Sequence, residues 1–139
     1  MFRHRGRVVL AILVVASGLG AAAGSPAVPP SKTLASYCSP SGDVCFGIIN
    51  RTGAVHLELT TAARYFDRYR LCVRPPGGGA AGFLRCGSFP VLRRSAGWGS
   101  SVKYARQYPL VGPGTYSVTW RLGTKPLGPT LRFRLPLTG

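Results

Sequence analysis

Past residue 23 the chain has few groups that could move a proton: one histidine, His56, two aspartates, Asp43 and Asp67, and one glutamate, Glu58. General acid–base catalysis relies on these residue types, often in pairs held by neighbours. A Ser-His-Asp site would have to use His56 with Asp43 or Asp67, and the Gly-x-Ser-x-Gly elbow that exposes a nucleophilic serine is absent. A two-carboxylate glycosidase site would have to be drawn from only three acids. His56 and Glu58 stand two apart, on one face of a strand and within reach of a shared metal ion. Two ligands without others are too few for a metal site, and a solvated pair is the expectation. These residues imply no enzyme, no metal and no cofactor.

All four cysteines, Cys38, Cys45, Cys72 and Cys86, lie beyond residue 23. Short Cys-x-x-Cys knuckles of a zinc site are missing, and an even count in an exported chain implies disulfides. Three connectivities are possible. "CSPSGDVC" puts turn residues between the first pair, and "CVRPPGGGAAGFLRC" places the second pair symmetrically about a glycine loop, where antiparallel partners meet. The pairing expected is Cys38–Cys45 and Cys72–Cys86, which leaves no thiol as a nucleophile.

Positive charge is abundant. Lys and Arg total 18 against 3 Asp and Glu, a net charge of +15. Arginine far outnumbers lysine, and its planar fork suits phosphate and carboxylate. Genome bias toward GC, as in a bacterium, accounts for Arg over Lys but not for the scarcity of acids.

The elements that would position these groups begin with an export signal. "MFRHRGR" followed by "VVLAILVVASGLGAAAG" has a positive start, an apolar run and small residues at Ala21 and Ala23, so cleavage is expected after Ala23. The alternative is an uncleaved anchor, but Val8–Ala16 falls short of the ~20 residues a spanning helix needs. Loss of Arg3, Arg5 and Arg7 lowers the charge from +15 to +12. Residues 24–36, with "SPAVPPSK", read as a Pro-rich extended arm. Residues 37–139 are expected to form one domain.

That domain alternates with period two. In "AVHLELT" Val55, Leu57 and Leu59 share one face, and in "RYRLCVR" Tyr69, Leu71 and Val73 point inward while Arg70, Cys72 and Arg74 point outward. "FLRCGSFPVL" returns after the glycine loop, and "SVKYARQYPL", "TYSVTWRL" and "TLRFRL" read as further strands. Tyr116, Val118, Trp120 and Leu122 should pair in phase with Leu131, Phe133 and Leu135. Thr61 is placed to cap one helical turn before the next strand, "RYRLCVR". Asn50-Arg51-Thr52 matches a glycosylation sequon but reads here as a turn. About seven short strands imply an all-β antiparallel sandwich, with a barrel as the alternative.

"GPGTYSVTWRL" followed by "LGPTLRFRL" resembles the closing hairpin of secreted immunoglobulin-like β-sandwich proteins. That resemblance implies a tyrosine corner at Tyr116, whose hydroxyl would bond back to the upstream backbone. The hairpin is also similar to the end of periplasmic copper-resistance sandwich proteins. Those carry His and Asp in the connecting loop, where this chain has Gly123-Thr124-Lys125-Pro126-Leu127-Gly128, so copper binding is not implied.

The outward parity of Arg70, Arg74, Arg85, Arg121, Arg132 and Arg134 predicts one basic sheet face. Arg93 and Arg94 stand near Trp98, an aromatic that could stack on a sugar or base, or else fold over the sandwich edge. The functional expectation is a secreted or periplasmic, non-enzymatic binding module for an anionic surface: a cell-wall polymer, anionic lipid, acidic polysaccharide or extracellular DNA. The competing expectation is a structural or inhibitor-like domain that recognises an acidic protein through end loops or a sheet edge.

Overall fold

The computed structural model describes residues 20–25 and 30–138. Residues 1–19, which carry most of the expected export signal, lie outside them. Ten strands occur among the described residues: β1 Ser31–Cys38, β2 Val44–Arg51, β3 Ala54–Thr61, β4 Arg68–Arg74, β5 Arg85–Pro90, β6 Leu92–Arg94, β7 Gly97–Lys103, β8 Gly114–Leu122, β9 Lys125–Pro126 and β10 Leu131–Leu135, with one α-helical turn, α1, at Tyr104–Gln107 and a 3-10 turn at Gly79–Gly82. They form two antiparallel sheets. The first runs β1-β2-β3-β7-β6 and the second β10-β8-β4-β5, with β9 beside β8. The fold is an all-β sandwich, and two separate sheets replace the barrel alternative.

Period-two patterning sets which faces meet. Ile48, Leu57 and Leu59 from the first sheet and Tyr69, Leu71, Val73, Tyr116, Val118 and Trp120 from the second are almost wholly buried. Phe46 of the first sheet stacks on Trp120 of the second with ring centroids 4.6 Å apart, which joins the layers, while Tyr116 stacks on its ladder partner Phe133 at 5.0 Å within the second sheet. β8 and β10 pair in the expected phase, Val118 with Leu131 and Tyr116 with Phe133. Leu122 departs from expectation: it pairs with Lys125 at the short β9 strand and is exposed.

Three strands exceed the expected seven, for physical reasons. β1 takes up residues 31–36, which were expected to belong to a loose arm. An irregularity between Thr33 and Ala35 shifts its register and hides the alternation. β6 and β9, at three and two residues, are too short to show a period. The helical turn also falls elsewhere. Thr61 Oγ1 donates to the Ala63 carbonyl (2.8 Å) at the end of β3, and no helix follows it before β4. The turn lies instead in "SVKYARQYPL", where buried Tyr104 and Tyr108 stand four apart and Tyr108 N–H bonds the Tyr104 carbonyl at 2.9 Å.

Both disulfides form as expected, Cys38–Cys45 and Cys72–Cys86. Each joins directly opposed residues of neighbouring strands. Cys72 shares the outward parity of Arg70 and Arg74 yet is buried, bonded to Cys86 on β5 and flanked by Thr119 on β8. Two disulfides suit an oxidising compartment.

Candidate anion-binding face

Residues opposed across an antiparallel ladder share a face, so strand register maps the outer surface of the second sheet row by row. One row holds Arg68 and Pro90; the next holds Ser88, Arg70 and Arg121. The disulfide follows, with Cys86, Cys72 and Thr119 abreast, and the Thr119 hydroxyl bonds the Thr130 hydroxyl at 2.7 Å. Beyond it come Arg74, Ser117 and Arg132, then Thr115 and Arg134. Six arginines thus stand in two groups of three, on either side of an uncharged stripe. The remaining outward positions are Ser, Thr, Pro and Cys, and none is acidic.

The partners of these guanidiniums are backbone carbonyls and a hydroxyl. Arg68 donates to Ser88 Oγ (3.0 Å) and to the Ser88 carbonyl (2.9 Å). Arg74 donates to the Gly82 carbonyl (3.1 Å), and Arg121 to the Thr124 carbonyl (3.0 Å). Arg121 is half-buried and its Nε has no partner. Arg70, Arg132 and Arg134 are exposed and make no side-chain hydrogen bond or ion pair among the described residues. A carbonyl orients a guanidinium without cancelling its charge, and each guanidinium keeps further donors free.

Five of the eight arginines expected to bind anions therefore converge: Arg70, Arg74, Arg121, Arg132 and Arg134. Arg85 does not. It opposes Val73, so it has inward parity and projects at the edge strand β5. Parity slips by one across the glycine loop, because the disulfide puts Cys86, not Arg85, in line with Cys72. Arg93 and Arg94 belong to β6 of the other sheet. Arg68 was missed, although it stands two residues before Arg70 and so has the same parity.

Trp98 is not a free stacking platform on this face. It is a strand residue of β7, half-buried against the core, with the Arg93 and Arg64 guanidiniums 5.5 and 5.4 Å from its ring. Tyr116 makes the upstream bonds expected of it. Its hydroxyl donates to the Gly112 carbonyl (2.7 Å) and accepts from Val111 N–H (3.1 Å).

On the opposite sheet, Ser101 Oγ sits 3.4 Å from His56 Nδ1 and 3.3 Å from Glu58 Oε1. Glu58 is ion-paired with Arg51, and Asp67 with Arg64 at 2.9 Å. Burial, then the Arg51 guanidinium, holds the His56 imidazole below its usual value, Lys103 acting in the same direction and Glu58 in the opposite one. The carboxylate that would have to orient the imidazole as a base faces Arg51 instead. Among the described residues no three His, Cys, Asp or Glu side chains gather around a possible metal position. No family model, curated protein or solved structure matches the chain.

Proposed function

We propose that this protein is an exported, non-enzymatic binding module that lays the outer face of the β10-β8-β4-β5 sheet on an anionic polymer or surface outside the cytoplasm. The observation that carries this reading is the set of six arginines sharing one acid-free sheet face, half of them anchored by backbone carbonyls. Phosphate, sulfate and carboxylate all fit the guanidinium fork, so cell-wall polymers, anionic lipids, acidic polysaccharides and extracellular DNA share the required chemistry. The Tyr116 bonds support kinship with secreted immunoglobulin-like sandwiches, and the disulfides support export with cleavage after Ala23. The ion-paired Glu58 supports a role without catalysis.

Retention on immobilised heparin across a salt gradient tests this reading. The double variant Arg132→Gln/Arg134→Gln should elute at clearly lower salt than Arg64→Gln/Arg93→Gln. Both pairs remove two charges, but the second lies off the face beside Trp98. Polyanion affinity falls on a log-log salt plot with a slope near −0.7 to −0.9 per phosphate contact, so losing two contacts should flatten the slope by about 1.5. Equal shifts for both pairs would mean that charge count alone acts, and the face would have no role.

A further inference from the structure

β7 has neighbours on both sides only along its first half. Its pairing with β3 runs from Trp98 to Lys103, whereas β6 reaches only Gly97 to Gly99. Along Ser100–Lys103 one edge of β7 has no strand partner among the described residues. In an antiparallel sheet alternate residues at such an edge turn their N–H and C=O groups outward. β6 cannot extend to cover them, because the chain enters it from the other sheet through Val91, whose N–H is fixed to the Asp67 carbonyl at 2.8 Å.

A cleft of about 490 Å³ opens along this bare edge, between the two sheets. Arg94, Lys103 and Arg106 bring three positive charges to it, and no acid lines it. Phe89, Pro90 and Leu92 supply apolar surface. Below them, Tyr69 donates to Ser100 Oγ at 2.9 Å, which closes the floor with a satisfied bond. Charge selects among possible occupants. Residues 1–30 of this chain contain no Asp or Glu, and a second copy would bring a net positive charge of its own.

We propose that this edge accepts an extended acidic segment of another protein as an added strand beside Ser100–Lys103. Main-chain hydrogen bonds to β7 would hold it. Alternate side chains would meet the two sides of the cleft: acids toward Arg94 and Lys103, which share the outer parity of the first sheet, and apolar groups toward Phe89 and Pro90. The matching segment alternates acid and small apolar residues over about four positions, the length of the open edge at about 3.3 Å per residue. This site is separate from the arginine face and stands or falls apart from it.

The probe is the labelled peptide acetyl-Asp-Val-Asp-Val-Asp-amide, followed by fluorescence anisotropy at low salt. Arg94→Gln/Arg106→Gln should weaken it about tenfold, and Arg132→Gln/Arg134→Gln should leave it within about twofold. A version of the peptide N-methylated at alternate residues, chosen in both registers, should lose binding in one register. Hydrogen exchange should show amides within Ser101–Lys103 slowed by the peptide. No binding, equal loss from both variant pairs, or binding indifferent to N-methylation in both registers would each overturn the proposal.

Discussion

Arg70 should weaken the fold it belongs to. It stands directly opposite Arg121 and two residues from Arg68 on the same face, and it has no hydrogen-bond or acidic partner among the described residues. Strand spacing and pleat set the scale of the separation, and about 7 Å between the charges is taken for each of these neighbours. At that distance in a water-like dielectric each like-charge term is about 0.6 kcal/mol, so the two sum to about 1.2 kcal/mol before screening. Screening leaves about 0.9 kcal/mol at 10 mM salt, about 0.5 at 0.15 M and about 0.1 at 1 M. Arg70→Thr should therefore raise Tm by about 4 °C at 10 mM salt and by less than about 1 °C at 1 M, at about 4 °C per kcal/mol for a domain of this size. Any gain from the strand preference of Thr itself is independent of salt and appears at both concentrations. Melts followed by far-UV circular dichroism at the two salt concentrations give the answer, and the same variant should elute earlier from heparin. A fall in Tm, or a gain that salt leaves untouched, would refute the reasoning and make Arg70 a structural residue.

Two further outcomes follow from the fold. Removing the 14-residue crosslink with Cys72→Ala/Cys86→Ala should cost about 3 kcal/mol, and removing the 7-residue one with Cys38→Ala/Cys45→Ala about 2.5 kcal/mol; urea unfolding of both variants checks the order. Cys72 is also buried, so its loss should add to that difference. The lowered pKa of His56 means that the unfolded chain binds the proton more readily than the folded one. Its contribution is present above the unfolded value near 6.5 and is lost as pH falls from there through the lower folded value. Tm should drop between pH 7 and pH 5, and His56→Gln should flatten that slope.

Strand parity was legible where a strand keeps one buried face in unbroken register, as in β3, β4 and β8. Val55, Leu57 and Leu59, or Tyr116, Val118 and Trp120, repeat at period two because alternate side chains enter a core that excludes water. The same rule located five of the six arginines on the face and missed Arg68, which shares the parity of Arg70 two residues on. It failed where geometry rather than composition sets parity. Arg85 adjoins Cys86 in sequence, yet only the opposition of Cys72 and Cys86 decides which side each neighbour takes. β1 was hidden by its register shift. Tyr104 and Tyr108 gave no sign that separates α1 from a strand, since residues four apart share a face in both, so "SVKYARQYPL" read as a strand throughout. The cleft beside β7 had no sequence signature, because it arises from where a three-residue strand stops.

A bias toward arginine in composition would scatter the residue and leave its few carboxylates where chance put them. Two of the three acids here are committed to Arg51 and Arg64, both off the six-arginine face. On the face itself, the Ser88, Gly82 and Thr124 carbonyls take the role that carboxylates often fill. On the proposed function the difference matters, because an ion pair would spend the charge on the fold, whereas a carbonyl fixes the side chain and would leave the charge to a ligand. Fixing it beforehand also reduces the rotamer entropy lost on binding. This gives the glycine loop between β4 and β5 a purpose beyond closing a hairpin already held by a disulfide. A Cβ at Gly82 would collide with the Gly77 carbonyl oxygen, so only glycine lets the loop fold back tightly enough to present the Gly82 carbonyl to Arg74.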